Sequence, residues 1–252
     1  MIGNRTALAA AALLAVGIAA ALLAVGIAAA GWSAGREVAQ VRLADRFVTV
    51  KGSAEREVKA NLALWPLRFV ATGDDLSAVQ AKMAADERAV LAFLERHGLG
   101  ADAVVSRSLD LVDLLAQAYR QGPADQRYIL TRTLMIRSPD VDRVDRASQN
   151  LAELLDQGVA LGGEPGMGSG PNFLFTRLND VKTEMIAEAT AKAREAAAQF
   201  AADSGATLGG IRRANQGLFQ ILARDEAPGI MESRQIDKTV RVVSTLDWEL
   251  VD

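Results

Sequence analysis

Residues 234–251 read RQIDKTVRVVSTLDWELV. Val240, Val242, Ser244, Leu246, Trp248 and Leu250 share one parity; Arg241, Val243, Thr245, Asp247 and Glu249 share the other. Successive side chains of a β-strand point to opposite faces, so the stretch predicts a strand with one face buried. A strand that is wet on one side belongs to an antiparallel sheet, and another element must cover its dry side.

The cover lies upstream. Val181 to Asp203 predicts a long helix, capped by Asn179 or Asp180 and ended by Ser204-Gly205. Its inner face is mostly alanine, with Met185, Ile186 and Phe200, and small side chains let a helix sit close on a sheet. Thr207–Leu222, between this helix and the last strand, reads as a β segment.

Further toward the amino terminus the pattern ββα occurs twice. Arg46–Gly52 (RFVTVKG) and Ala60–Thr72 (ANLALWPLRFVAT) read as strands. Pro66 cannot donate a ladder hydrogen bond, so the second is bulged there or lies at an edge. Asp74 or Asp75 then caps a helix to about Arg96, with Leu76, Val79, Met83, Val90 and Leu94 on its inner face and Gly98 and Gly100 as its stop. Val104–Ala118 and Gln126–Ser138 form the next strands, around a turn at Gln121-Gly122-Pro123. Tyr128, Leu130, Leu134 and Ile136 share a face, with Arg132 the exception. Ser138-Pro139-Asp140 opens a further helix with Val141, Val144, Leu151, Leu154 and Leu155 as its stripe. The order ββα ββα, then α-ββ, with hairpin-joined strand pairs, predicts an α+β fold of antiparallel strands with helices packed on one face. Long outer strands leave backbone groups unpaired, so a homo-oligomer formed by edge pairing is expected.

The amino terminus is different. The nonapeptide ALLAVGIAA is written twice without a gap from Ala12 to Ala29, inside a run without charge from Ala7 to Ala30. As a helix rising about 1.5 Å per residue the run reaches roughly 36 Å, against a hydrocarbon core of about 30 Å. One copy would leave only a signal-peptide length. Length therefore favours a retained anchor over a signal cleaved near Ala28-Ala29-Ala30. The expected organisation is a signal-anchor transmembrane helix at 1–31, a juxtamembrane linker at 32–45 and the α+β domain at 46–252. The lipid bilayer is thus an expected partner. Arg5 precedes the run while Arg36, Arg42, Arg46 and Lys51 follow it, so charge alone leans against export of the body. The short leading tail and signal-like layout lean toward it.

Composition narrows the chemistry. Net charge is −3, which gives no global basic field for nucleic acid. Cysteine is absent, which removes disulfides, thiolate metal sites and a cysteine nucleophile. The single histidine, His97, sits at a helix C-terminus, where a cation complements the dipole, so capping is preferred to catalysis. A hydrolase would need His97 beside a serine and a carboxylate. Asp110 and Asp113, three apart on a strand, face opposite sides and cannot act as a dyad. Glu184, Glu188, Lys192 and Glu195 read as a solvated salt-bridge stripe rather than a metal site. Tyr119 and Tyr128 flank the hairpin and read as packing residues. Gly162–Pro171 (GGEPGMGSGP) lacks a Gly-Lys-Ser/Thr ending and reads as a plain loop; it is also the one candidate boundary between sub-domains. No catalytic residue, cofactor or metal is assigned.

Three stretches resemble the SIMPL domain family of bacterial proteins. They are FVTVKGSAEREVKANLALWPLRFVATGDDLSAVQAKMAAD, then Arg127-Tyr128 with the strand after it, then FLFTRLNDVKTEMIAEATAKAREAAAQFAADSGATLGGI, an Ala-rich helix followed by a glycine and LG. The similarity runs from about Phe47 to the carboxyl terminus. In one departure, Lys59-Ala60-Asn61 stand where the family usually carries a proline, and Pro66 comes later. The resemblance implies an exported cell-envelope protein, often oligomeric and linked to oxidative-stress tolerance, and it carries no catalytic residues. The expected protein is a membrane-anchored, periplasm-facing, non-enzymatic oligomer in the bacterial inner membrane with a scaffolding or stress-protective role. The alternative is a periplasmic module that binds a small molecule or peptide with the loop at 162–171.

Overall fold

The computed structural model describes residues 23–32, 46–116, 125–162 and 170–251. The elements run α1 (residues 23–32), β1 (Phe47–Lys59), β2 (Leu62–Gly73), α2 (Leu76–Arg96), β3 (Val104–Asp113), β4 (Tyr128–Ser138), α3 (Val141–Gln149), α4 (Ala152–Asp156), β5 (Ala160–Leu161), β6 (Asn172–Leu174), α5 (Leu178–Asp203), β7 (Thr207–Gln216), β8 (Gln220–Ala223) and β9 (Asp237–Val251). One sheet has the order β1-β9-β7, with β8 also on β9; the other has the order β3-β4-β2-β5, with β6 also on β2. Every strand pairing whose register is resolved is antiparallel. The α+β expectation stands at this level.

The first expected hairpin does not form. β1 lies in the sheet of β9 and β2 in the sheet of β4. The connector Lys59-Ala60-Asn61 has none of the Asn-Gly or Asp-Gly chemistry of a tight hairpin. Its backbone N–H groups go elsewhere: Ala60 donates to Ile236 O at 2.8 Å and Asn61 to Leu174 O at 3.0 Å. The Asn61 side chain also fastens the segment after β6, donating to Thr176 Oγ1 at 2.9 Å and accepting from Thr176 N at 2.8 Å. Pro66 faces Met135 in an unbroken β2–β4 register, so there is no bulge there. On its other side, among the described residues, β2 pairs with β6 at Leu62–Leu64 and with β5 at Phe69–Val70, and Pro66 lies in the gap between these two pairings.

The chain divides into two compact units. The larger comprises Ser53–Ala189 and Gly217–Val243. Its main core joins Trp65, Leu67 and Phe69 of β2, Leu130, Leu134 and Ile136 of β4, and Val79, Met83, Val90, Phe93 and Leu94 of α2. Each such side chain contributes about 1.5–3 kcal/mol by leaving water. Asp75 caps α2 by accepting from Ala78 N at 2.8 Å, while Asp74 accepts from Arg127 N at 3.0 Å. α2 ends where Gly98 takes φ 73°, a left-handed value that suits glycine. A second cluster packs Met185 and Ala189 of α5 against Ala54, Val240 and Val242. The expected single helix after Pro139 is two, because Asn150 closes α3 by donating its N–H to Ala147 O at 3.1 Å. Leu155 is consequently 56% exposed rather than in the stripe.

The smaller unit comprises the described residues up to Gly52, Thr190–Gln216 and those from Ser244 onward. Ala193 and Ala197 pack with Val50, Leu246 and Trp248. α5 begins at Leu178, so Asn179 and Asp180 sit inside its first turn. Phe200 lies off the alanine row and is 58% exposed. The β segment after α5 breaks into β7 and β8. The inner parity of β9 is as expected, with Val240, Val242, Ser244, Leu246 and Trp248 buried.

Candidate functional site

His97 caps α2 and meets α4. Its Nε2 lies 3.1 Å from Glu153 Oε1, and its ring packs on Phe93 with centroids 4.5 Å apart. Arg96 Nη2 donates to Glu153 Oε2 at 3.1 Å. Arg96 first, and then His97, hold the Glu153 carboxyl below the usual range. A carboxylate does stand beside His97, as a hydrolase would need, but it serves as a tie between helices that Arg96 shares.

Asp110 and Asp113 face opposite sides, opposite Thr131 and Tyr128 respectively. Arg127 donates to Asp113 from Nε at 3.3 Å and from Nη2 at 3.0 Å, and so lowers its pKa. Its guanidinium also covers the Tyr128 ring at 4.7 Å. These contacts, with Leu115 N donating to Asp113 Oδ1 at 2.9 Å, end β3 five residues before the expected Ala118. Tyr119 and the expected Gln121-Gly122-Pro123 turn lie outside the described residues. Glu184 pairs across to Arg56 of β1 at 2.5 Å rather than along its own helix.

The interior of the Gly-rich loop, 163–169, lies outside the described residues. Its flanks are held. Gly162 N donates to Arg68 O at 2.9 Å, and Arg234 Nη1 donates to Pro171 O at 2.9 Å.

Two buried polar groups, Lys238 and Asp86, escaped the sequence reading, and a third polar group, Arg132, stood out in it without a partner assigned. Lys238 of β9 is fully buried; its Nζ donates to Glu232 O at 2.7 Å and to the Glu232 carboxylate. Its place on the inner parity of β9 was a usable signal. Asp86 is buried on α2 and pairs with Lys82, which also donates to Gly158 O at 2.9 Å and so ties α2 to the end of α4. Arg132, the exception on the inner face of β4, reaches Glu87 of α2 at 3.0 Å, and Arg107 of β3 reaches the same carboxylate at 3.1 Å. All three are tethers between elements. Among the described residues no group of three or more acidic or histidine side chains is placed to hold a metal ion.

The most unusual surface is β3. Ser106 to Val112 are exposed on both faces, including Leu109 at 50%, Leu111 at 48% and Val112 at 36%. The strand is the outer member of its sheet.

Two antiparallel sheets, each associated with helices, define an α+β domain. The sequence model of the SIMPL family, described as a protein of unknown function (DUF541), matches residues 48–245, and the chain belongs to this family. No curated protein matches the chain.

Proposed function

We propose that the chain is a membrane-anchored, periplasm-facing, non-catalytic oligomer whose role is scaffolding or stress protection in the cell envelope. The observation that carries this reading is α1. Every residue from 23 to 32 is exposed, with Leu23, Val25 and Ile27 at 67, 66 and 65% and Trp32 at 68%. Such a surface is unfavourable in water and favourable in lipid, and a tryptophan at the end of an apolar run suits the headgroup boundary. No helix among the described residues is long and apolar enough to cross a membrane; the earlier part of the run, residues 7–22, lies outside them. The run from Ala7 to Ala30 supplies the length. Oligomerisation is supported by the exposed outer strand β3.

A reporter fused after Asp252, active only in the periplasm or only in the cytoplasm, tests the reading. Periplasmic activity in the membrane fraction is the expected result. Cytoplasmic activity would overturn it.

A further inference from the structure

The outer strands of the two sheets differ in how they discourage pairing. β5 and β6 are 2 and 3 residues long. β7 is broken by two register irregularities around Gly209, Gly210 and Ile211, and carries Arg212 and Arg213. β1 carries Glu55, Arg56, Glu57 and Lys59. Short strands, bulges and charges are the usual ways to blunt an edge. β3 has one irregularity, between Val104 and Ser106, and then runs in unbroken register from Ser106 to Asp113. It carries Leu109, Leu111 and Val112 exposed, interspersed with Arg107, Asp110 and Asp113.

Among the described residues no strand pairs with the outer side of β3, and the backbone groups on that side can be assigned. Asp113 faces Tyr128, and Leu114 N donates to Arg127 O at 2.9 Å, which makes the next pair a hydrogen-bonded one. Antiparallel pairs alternate, so Ser108, Asp110 and Val112 spend their backbone groups on β4. Arg107, Leu109 and Leu111 turn theirs outward.

We propose that β3 pairs with β3 of a second copy, antiparallel, about a two-fold axis at Leu109. This rests on the oligomeric reading above and assigns its contact. In that register Leu109 faces Leu109 of the second copy, and Arg107 faces its Leu111. All three outward-facing residues enter one ladder. The side chains agree. Leu109 and Leu111 of both copies form one apolar patch on the side where Arg107 meets Glu87. Asp110 faces a Ser108 hydroxyl. Arg107 lies diagonal to Asp113 of the second copy, a charge-complementary pair made twice. Moving the axis one residue, to Asp110, would set two aspartates face to face. The pairing is small beside a standard interface of roughly 1,200–2,000 Å², so it works best between copies held at high local concentration.

The test uses the full chain in detergent, which has no native cysteine. Single variants Ser108→Cys, Leu109→Cys, Asp110→Cys and Leu111→Cys are oxidised and read on a non-reducing gel. Only the residue on the axis meets itself within disulfide reach, so Leu109→Cys is expected to cross-link at least about tenfold faster than the others. Leu109→Pro removes an outward N–H while sparing the β4 ladder, so it is expected to stay folded and lose the dimer. Fastest cross-linking at another position, or a Leu109→Pro protein that still dimerises, would overturn the proposal. A wild-type chain that is oligomeric without any of these cross-links would remove this contact and leave the oligomeric reading standing. A strictly monomeric wild-type chain would remove both.

Discussion

Gly217 donates its N–H to Val243 O at 2.9 Å, and a Cβ at position 217 would collide with that same oxygen. The close approach lets the chain leave β7 and rejoin β9 as β8. A methyl group there has only backbone to push against. Gly217→Ala is therefore expected to destabilise by about 1–3 kcal/mol, the usual range for overpacking, read as a lower urea midpoint at unchanged slope. Wild-type stability would contradict the assignment.

Lys238 and Glu232 give an ordered pair of outcomes. Lys238 is fully buried, whereas the Glu232 side chain is 36% exposed. Glu232→Ala leaves a buried ammonium with one backbone acceptor, and is expected to cost about 2–3 kcal/mol, somewhat below the usual range for breaking a buried pair. Lys238→Met keeps the stem, removes the charge and leaves Glu232 able to reach water. It is expected to cost less. Chemical denaturation of both variants checks the order.

The alanine row of α5 predicts a position-dependent response. Ala193 and Ala197 are fully buried, and Phe200 is 58% exposed. Ala193→Leu is expected to lower stability by about 1–3 kcal/mol, and Phe200→Ala to change it by less than about 0.5 kcal/mol. Equal effects would mean that the helix presents another face.

These positions also mark what the sequence made legible. Regular alternation in β9 and a side-chain cap at Asp75 are local signals, and both were readable. The inner face of α5 was readable at Met185 but not at Phe200, because in an alanine-rich helix a lone large residue says little about which way is in. The β1–β2 connection was misread because adjacency suggested a hairpin, while the destinations of the Ala60 and Asn61 N–H groups, Ile236 and Leu174, are set by residues more than a hundred positions away. Lys238 was passed over because its charge spoke against burial, and its partner Glu232 lies in a 3-10 turn that has no hydrophobic period. For β3, the sequence marks a strand beside a turn, but it does not tell which edge is left open.

Acid should act through Glu153. Its carboxyl is held below the usual range, first by Arg96 and then by His97. A carboxylate whose pKa is depressed in the folded state adds stability that is fully present above its unfolded pKa, about 4.3, and is lost as pH falls through the folded value. Thermal midpoints measured from pH 6 down to about pH 3 are expected to fall further for wild type than for Glu153→Gln. Parallel curves would show that this cluster is not coupled to folding.

Whether the doubled apolar segment holds the folded domain to a membrane is decided by alkaline extraction of cell membranes followed by intact-mass measurement of the chain. A carbonate-resistant product that retains residues 7–30 is expected. A freely soluble product beginning beyond Ala30 would contradict it.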